Sequence, residues 1–509
     1  MDANAPLTAL PAVAVIEQFR RGELSPVTLV NASIERIERL NVKINAITAT
    51  CFDRAREEAR ASEARYQAGQ PKGPLDGLTL GVKDLQPTAQ LLTTWGSPKW
   101  RNHVPQEDLP MVAALRRAGA IVVGKTNVPE HGAGGNSRNP VWGATGNPFN
   151  ANLVAGGSSG GSAAALAADL VTLCTGSDTG GSLRLPAGLC GIVGFRPSPG
   201  LVPHPTRPLG WSSISVLGPM ARNMGDLLLM LRSCMGTDAR DPLNRGVSPE
   251  SFNTTGVLPR LETLRIGYSE DFGGCSVEPD IRAAFRDRIE RIAPQVAKCV
   301  PVDIPHGDWD RCFDVMRAES FMAGFQDVFD HDPVRLSEDI QANVALGKGF
   351  TLGDRAWAHL EQTRIMRAYQ AQAAHLDLIL SPVAPVTPFV WTQGFPAHID
   401  GVAMDIYYRW LALTYRPSLV GCPALTLPCG LDSQRMPFSL QLLGSLNGDA
   451  ALLQAAQTLE AFFESHEATR RPRPDLEALK PSTTPLNAMV THPPESGAVP
   501  PSGSVATVV

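Results

Sequence analysis

The segment that most constrains this chain is residues 132–200, where glycine is concentrated and charge is almost absent. It holds 16 of the 46 glycines and only five charged residues. Two serine clusters lie within it, GGSSGGS from Gly156 and GSDTGGSLR from Gly176. Glycine lets the backbone adopt positive φ and approach a ligand closely, at an entropic cost that an ordinary loop need not bear. Because successive N–H groups in such loops form a donor nest for an oxyanion, the segment predicts a reaction centre of backbone donors and hydroxyls.

A serine in such a nest needs a base, and the sequence offers Lys83. The apolar run at residues 78–82 predicts a buried strand that ends at this lysine. Since burial lowers the pKa of a lysine, Lys83 can be neutral there and accept a proton. Two alternatives are that Lys83 pairs with Asp84, and that the glycine nests bind an anion without catalysis. Lys83, Ser158 and Ser182 taken together favour a serine–lysine relay.

Two further patterns indicate other chemistry, and both are weaker. Residues 119–126 fit GxxxxGK[ST], but strand-like residues stand where a phosphate loop needs a flexible loop, so we interpret Lys125 as structural. Residues 156–160 fit the GxSxG nucleophile elbow, but residues 147–152 predict a turn instead of the strand that an elbow requires. None of the later histidines lies in a glycine-rich or strand-end context. A histidine-based serine hydrolase therefore stays a minor alternative.

The charge and the cysteine content exclude several classes of function. A net charge of −5 and a pI near 6.1 give no reason to expect nucleic acid or an anionic membrane as a partner. The nine cysteines are odd in number and include no C-x-x-C pair, which is typical of reduced thiols. The most apolar helical segment is too short to span a bilayer, and no basic region precedes the N-terminal apolar run. We expect a cytoplasmic protein.

Strands that alternate with helices predict the fold class. We expect an α/β fold with a mixed, mostly parallel open sheet that is covered by helices on both faces. Within a single domain over residues 1–478, residues 9–66 are predicted to be helical and residues 236–410 to form a variable region that faces the substrate. The periodicity also predicts a helix over residues 218–235. Residues 481–509, rich in Pro, Ser, Thr and Gly, are predicted to be a disordered tail.

The serine clusters and the lysine motif resemble those of the amidase signature family. GGSSGGSAAA, GSDTGGSLRLPAGLCGIVGFRPSPG and the GVKD at residues 81–84 carry the resemblance. It extends over residues 81–200 and returns at residues 421–430 and 438–444. The resemblance implies the amidase signature fold.

The resemblance also implies a role for each member of the relay. Ser182 is expected to be the nucleophile, and Ser158, which follows a cis peptide bond, is expected to pass its proton to Lys83. Asp178 and Arg184 are expected to brace the loop. The chemistry needs neither a metal ion nor an organic cofactor.

Several backbone groups are expected, by the same resemblance, to face the reaction. The Gly132 carbonyl and Ser158 are expected to contact the substrate. The N–H groups expected to form the oxyanion hole are those of Thr179, Gly180, Gly181 and Ser182.

The function that the resemblance implies is cleavage of the C–N bond of small-molecule carboxamides through an acyl-enzyme, with aryl amides, carbamates or esters as further candidates. We expect a small-molecule amide as the partner, without nucleic acid or membrane, and leave a homodimer open. The alternative is the amidase subunit of a glutamyl- or aspartyl-tRNA amidotransferase, which passes ammonia to a partner; the acidic balance and the eight lysines favour it less. A remoter alternative is a non-catalytic anion-binding protein.

Overall fold

The centre of the molecule is an eleven-stranded sheet, seen in a computed structural model that describes residues 6–252 and 258–495. The strands are β1 (Ile47–Thr50), β2 (Thr79–Lys83), β3 (Ile121–Thr126), β4 (Leu173–Asp178), β5 (Val193–Arg196), β6 (Val216–Ala221), β7 (Arg265–Tyr268), β8 (Lys298–Pro301), β9 (Leu378–Pro382), β10 (Ala424–Leu431) and β11 (Pro437–Leu443). Their order across the sheet is β1-β3-β2-β4-β6-β5-β10-β11-β9-β7-β8. The mixed open sheet is thereby confirmed.

The share of parallel pairs is smaller than the sequence predicts. Only β3/β2, β2/β4, β9/β7 and β7/β8 pair in parallel, and the other six neighbouring pairs are antiparallel. Strands β4 and β5 are both antiparallel to β6, which lies between them. Strands β4 and β5, which the helix Arg184–Cys190 connects, run parallel to each other but are separated by β6, so this strand–helix–strand segment does not form a parallel pair. The alternation of strands and helices therefore overstates the parallel content.

Helices flank the sheet along the described ranges. The α-helices are α1 (Ala12–Arg21), α2 (Pro26–Ile44), α3 (Phe52–Gln67), α4 (Pro110–Arg117), α5 (Gly160–Ala167), α6 (Arg184–Cys190), α7 (Met224–Cys234), α8 (Pro279–Ile292), α9 (Trp309–His331), α10 (Glu338–Lys348), α11 (Leu352–Ala373), α12 (Ala412–Val420) and α13 (Asp449–Glu464). Short 3-10 helices are Leu7–Ala9, Pro98–Trp100, Glu130–Gly132, Pro249–Phe252, Leu261–Thr263, Ala293–Gln295, Pro333–Arg335 and Arg409–Leu411. Two-stranded hairpins pair Arg138–Asn139 with Gly143–Ala144, Gly146–Asn147 with Asn150–Val154, and His398–Ile399 with Val402–Ala403.

Alternate side chains of the sheet enter two hydrophobic cores. In β3, Val122 packs in one core together with Leu80 of β2, whereas Ile121 and Val123 pack in the other. Because successive side chains of a strand point to opposite faces, the two cores lie on opposite sides of the sheet. Helices α4 and α7 contribute to the first core, and α2 and α5 to the second. Coverage on both faces is therefore confirmed.

The helix predicted over residues 218–235 is wrong in its first part. Strand β6 occupies residues 216–221, and α7 begins at Met224, where the Asn223 side chain accepts a hydrogen bond from the Asp226 N–H. Gly218 lies against the neighbouring strand, since a Cβ there would lie 2.3 Å from the Phe195 carbonyl oxygen. The close pairing of β6 with its neighbours outweighs the local helical pattern.

Residues 481–495 have defined contacts, so the predicted disorder from residue 481 onward is wrong for this part. The Thr483 N–H and hydroxyl both donate to the Asn152 side-chain oxygen. Leu486 is buried, and its carbonyl accepts a backbone hydrogen bond from a hairpin near the serine clusters. We name residues 481–495 the C-terminal strap. The remainder of the predicted tail, residues 496–509, lies outside the described residues.

The segment predicted to be helical, residues 9–66, holds α1, α2 and most of α3 together with the edge strand β1. The single domain over residues 1–478 and the substrate-facing role of residues 236–410 stay predictions. Among the helices of the described ranges, none combines the length and the apolar character needed to cross a membrane.

Candidate active site

Lys83 lies at the end of β2 with its side chain fully buried. Its Nζ atom lies 2.7 Å from Ser158 Oγ, 2.7 Å from Ser159 Oγ and 2.9 Å from Ser177 Oγ. The parallel pairing of β2 with β4 brings the lysine to the serine that precedes Asp178. The structure thus brings Lys83 and Ser158 together, as predicted.

Burial lowers the pKa of Lys83 well below its ordinary value, and the Asp178 carboxylate opposes part of that effect. Lys83 forms no ion pair with a carboxylate in the described part of the chain. An ammonium would satisfy the three hydroxyl contacts by donating to each, and a neutral amine satisfies them when one hydroxyl donates to the nitrogen, so the contacts are compatible with the uncharged form that burial favours. The site therefore favours an uncharged Lys83 that can accept a proton.

The charged neighbours Asp84 and Lys125 are engaged elsewhere. The Thr94 N–H and hydroxyl donate to the Asp84 carboxylate, at 3.1 and 2.5 Å. Lys125 is buried at the end of β3, and its Nζ donates to Thr88 Oγ1 at 2.9 Å. The alternative that Lys83 pairs with Asp84 is therefore wrong. The strand at residues 121–126 likewise leaves no flexible phosphate loop, and Lys125 is structural.

Ser158 is buried and follows a cis peptide bond from Gly157, as the resemblance implies. Gly132 lies beside it, because a Cβ on Gly132 would lie 3.5 Å from Ser158 Oγ. Gly132 has a φ of +78°, and the same Cβ would lie only 2.8 Å from Leu85. A side chain at this position would therefore be strained and crowded. The substrate contacts expected of Gly132 and Ser158 stay predictions.

The backbone around Ser158 is fixed by the segment that precedes it. The Ser137 N–H donates to the Gly156 carbonyl at 3.1 Å, and the Gly160 N–H donates to Ser137 Oγ at 3.0 Å. A hairpin with Asn150–Val154 leads into the loop, where the sequence predicted only a turn. Its strands lie outside the eleven-stranded sheet. No histidine of the described ranges donates to or accepts from Ser158, so the elbow alternative lacks its base.

Asp178 organises the loop that carries Ser182. Its carboxylate accepts hydrogen bonds from the Gly181 N–H at 2.9 Å, from Arg184 Nε at 3.0 Å and from Arg196 Nη1 at 3.0 Å. Burial raises the pKa of Asp178, but Arg184 and Arg196 outweigh it and hold that pKa below its ordinary value. Asp178 is therefore a carboxylate that braces the loop, in agreement with the sequence.

The contact between Asp178 and Gly181 corrects the predicted oxyanion hole. The Gly181 N–H already donates to a buried carboxylate, so we exclude it from the hole. The N–H groups of Thr179, Gly180 and Ser182 donate to no atom of the described chain. The Ser182 hydroxyl is half-buried and has no hydrogen-bond partner in residues 6–252 and 258–495. These three N–H groups remain the predicted oxyanion hole.

The loop of Ser182 is covered by α9 and α12. A Cβ on Gly180 would lie 2.9 Å from Phe313 of α9, and a Cβ on Gly181 would lie 2.1 Å from Thr414 of α12. Thr414 Oγ1 also donates to the Gly180 carbonyl at 2.7 Å. The glycines thus allow two helices to approach the loop closely.

Sequence reasoning did not assign the two further hydroxyls that contact Lys83. Ser159 follows Ser158 directly, and Ser177 lies on β4 two residues after Thr175, whose hydroxyl accepts a hydrogen bond from the Lys83 N–H. The available signal was the period of two along β4, which places Thr175 and Ser177 on one face. That signal was hidden because β4 is rich in polar residues and was not predicted as a strand.

Comparison with known proteins agrees with this geometry. The family model described as Amidase matches residues 28–453. The chain belongs to the amidase family. As an amidase it is a hydrolase that acts on carbon–nitrogen bonds.

Relatives and solved structures of this amidase carry several names. It is 32% identical over 492 residues to a glutamyl-tRNA(Gln) amidotransferase subunit of Roseiflexus castenholzii, covering 92% of this chain and 98% of the relative. The subunit of the same name from Aromatoleum aromaticum is 33% identical over 501 residues, covering 92% and 99%. A bacterial aryl acylamidase of the amidase signature family superposes with a TM-score of 0.83 at 25% identity, covering 91% of this chain and 97% of that one. The amidase signature fold is therefore confirmed.

The names of these relatives correct the expected partners. The expected partner was a small-molecule amide without nucleic acid, but the relatives are subunits of an amidotransferase whose name includes a tRNA. The prediction relied on net charge, which averages over the whole chain.

Proposed function

We propose that this amidase is the amide-hydrolysing subunit of a tRNA-dependent amidotransferase, in which the released ammonia is used to amidate glutamyl-tRNA(Gln). The support for the assembly is the similarity to subunits of that name over more than nine-tenths of both chains. The support for hydrolysis is the buried Lys83, which forms no ion pair in the described part of the chain and whose Nζ lies 2.7 Å from Ser158 Oγ. The similarity is the observation that carries the proposed assembly, and the Lys83–Ser158 contact carries the proposed hydrolysis.

In the proposed mechanism, neutral Lys83 accepts a proton from Ser158 as Ser158 accepts one from Ser182. Ser182 Oγ then attacks the carboxamide carbon. The N–H groups of Thr179, Gly180 and Ser182 stabilise the tetrahedral oxyanion, at about 3 kcal/mol for a donor by analogy with other hydrolases. As the C–N bond breaks, the proton returns through Ser158 to the departing nitrogen, and ammonia leaves. Water hydrolyses the acyl-enzyme by the same proton route.

This route requires Ser182 Oγ and Ser158 Oγ to come within hydrogen-bond distance when an amide binds. Without substrate they form no hydrogen bond with each other in the described chain. Catalytic hydrogen bonds are often long before substrate binds and tighten in the complex. The half-buried Ser182 hydroxyl, which has no other partner in that part of the chain, is free to make that approach.

The test of hydrolysis is ammonia release from simple carboxamides by the full chain, with Ser182→Ala as its control. We expect release by the wild type, together with covalent labelling by a fluorophosphonate, and neither in Ser182→Ala. Labelling that survives in Ser182→Ala would identify a different nucleophile.

The test of assembly uses a tagged chain isolated from its own host with whatever subunits accompany it. We expect the isolated assembly to convert glutamyl-tRNA(Gln) to glutaminyl-tRNA(Gln) when a carboxamide donor is supplied, and Ser182→Ala to stop this conversion. Free ammonia should restore it in Ser182→Ala. Full amide hydrolysis by the chain alone, with no tRNA amidation by the isolated material, would contradict the proposal and indicate a hydrolase that works by itself.

A further inference from the structure

The pairing between β2 and β4 changes at the position where the base leaves the sheet. Their parallel ladder ends at the pair of Gly81 with Cys174. Beyond this pair, the Lys83 N–H donates to the Thr175 hydroxyl at 3.0 Å instead of to a carbonyl of β4. Because buried backbone groups need partners, side chains take over the hydrogen bonds that the ladder no longer supplies.

Gln86 is the second side chain that joins the two strands beyond the ladder. It is only 1% exposed, and its Nε2 donates to the Gly176 carbonyl of β4 at 3.0 Å. Its own backbone N–H donates to the Lys83 carbonyl at 2.9 Å and closes a turn after β2. Gln86 therefore contacts both the strand that carries the base and the strand that carries Ser177.

The carbonyl that Gln86 binds belongs to the peptide group before Ser177. A peptide group is planar, so a hydrogen bond to the Gly176 carbonyl also fixes the Ser177 N–H and the start of the Ser177 residue. Ser177 Oγ reaches Lys83 Nζ from this backbone, at 2.9 Å. The orientation of the Ser177 hydroxyl thus depends on the amide of Gln86.

Gly176 also packs against residues of both serine clusters. A Cβ there would lie 2.4 Å from Leu183, the residue after Ser182, and 3.2 Å from Ser159 Oγ. Ser159 Oγ is itself 2.7 Å from Lys83 Nζ. A shift of the Gly176 peptide group is therefore expected to disturb the hydroxyls that surround the amine.

The oxygen of the Gln86 amide argues against a purely structural role. Gln86 Oε1 is buried and accepts no hydrogen bond from residues 6–252 and 258–495. An unsatisfied buried acceptor is unfavourable, whereas an apolar side chain of similar length would avoid it. Packing alone therefore does not account for a glutamine at this position, but the donor that Gly176 needs does.

We propose that Gln86 is a positioning residue for the base, which holds the peptide group before Ser177 and thereby directs the Ser177 hydroxyl toward Lys83. The inference rests on the proposed hydrolysis at Ser182. It adds a residue from outside the serine clusters that touches neither the substrate nor the reacting atoms. Its effect passes through Ser177 to the amine.

The experiment measures kcat and KM of the full chain on a neutral carboxamide, with active sites counted by fluorophosphonate labelling. Gln86→Met keeps the length of the side chain but cannot donate to Gly176. We expect kcat for each labelled site to fall about two- to tenfold, as for a single hydrogen bond, and KM to change less than about twofold. A merely structural role would lower the number of labelled sites instead. Gln86→Asn, whose amide is one methylene too short, should show the same loss and serves as the test if Gln86→Met does not fold.

A double-variant cycle tests whether the effect passes through Ser177. In the Ser177→Ala background the hydroxyl that Gln86 orients is absent, so adding Gln86→Met should lower kcat by less than about 1.5-fold. Losses that multiply in the double variant would mean that Gln86 acts by another route.

The matched control is Gln457→Met on α13. Gln457 Oε1 is likewise buried without a hydrogen-bond partner in the described chain. Because Gln457 lies on a helix that carries no residue of the relay, its replacement should leave kcat unchanged.

Three outcomes would overturn the inference. They are an unchanged kcat in a folded Gln86→Met or Gln86→Asn, a raised KM at constant kcat, and losses that multiply with Ser177→Ala. Each of them, with a wild type that hydrolyses the amide, sinks this inference alone. A wild type that hydrolyses no carboxamide sinks the proposed function with it.

Discussion

The serine loops, residues 156–184, meet the helical cover, which is formed by α9 and α10, at Gly180, and the two regions differ in composition. The serine loops hold three charged residues, and their reacting groups are hydroxyls and backbone N–H groups that follow one another closely in sequence. Helix α9 alone holds seven charged residues, and the partners of Arg317 come from positions 26 and 90 residues away. The reacting groups are thus encoded locally, whereas the contacts within the helices that cover them exist only once the fold has formed.

The strongest test of this comparison is the loss of the base. Lys83→Met is expected to lower kcat about 10³-fold or more, because proton transfer and activation of the nucleophile are both lost. The measurement is ammonia release from a neutral amide, with circular dichroism to check the fold. Lys125→Met is the matched control, since Lys125 is equally buried on the neighbouring strand but binds no serine in the described chain; it should affect stability more than kcat.

The pH dependence of wild-type activity is a second test of Lys83 as the base. Since burial lowers the pKa of Lys83, kcat/KM should be low where the lysine is protonated and rise as pH rises through that depressed pKa. Equal activity across the acidic and neutral range would assign the base to another group.

The next largest effect is expected from removal of the Asp178 carboxylate, which braces the Ser182 loop. Asp178→Asn removes the counter-ion of two buried arginines and is expected to lower the free energy of unfolding by about 3–5 kcal/mol. Denaturant unfolding measures the change. The exposed pair of Arg39 with Glu477 provides a control, because Glu477→Gln should cost less than about 1 kcal/mol. Similar costs for both would show that the serine loops do not depend on their few charges.

A smaller effect is expected at the C-terminal strap, which belongs to neither of the two regions. Leu486→Ala should cost about 2 kcal/mol of stability, since it removes a buried side chain that packs beside Ala144 and Trp391. Thermal unfolding measures the loss, and the exposed Asn487→Ala is its control. No change in Leu486→Ala would mean that the strap does not contribute to stability.

The smallest effect concerns a contact that the sequence did not indicate. Ser177→Ala removes one of the three hydroxyls at Lys83 and is expected to lower kcat about two- to tenfold, as for a single hydrogen bond. Steady-state kinetics on a neutral amide measures it. A loss as large as that of Lys83→Met would give Ser177 a place in the proton route.

The serine loops could be predicted from the sequence to a greater extent than the helical cover. Ser158 was predictable from the glycine-rich motif around it, Lys83 from the apolar strand that precedes it, and the cis bond from the resemblance to the amidase signature family. Strand β4 was missed because its polar residues face the site, so hydrophobic patterning could not indicate it. The engagement of the Gly181 N–H was missed because it depends on where the Asp178 carboxylate points.

The helical cover and the strap were missed for a different physical reason. Arg317 is one of 37 arginines, and nothing in its neighbours along the chain distinguishes it from a surface residue. Its hydrogen bonds to Asn343 and Tyr407 exist only after the fold has brought these residues to it. The strap makes its contacts through backbone carbonyls and short polar side chains, which leave no periodic pattern.

The uncharged amine of Lys83 also sets a proton balance between the folded and unfolded chain. An unfolded chain carries a proton at this lysine up to its ordinary pKa, whereas the folded protein releases that proton at lower pH. Between those two values folding expels one proton at this position, so alkalinity favours the native state and acidity opposes it. The surrounding fold must therefore be stable enough to keep Lys83 buried, because burial lowers the pKa of its reactive amine.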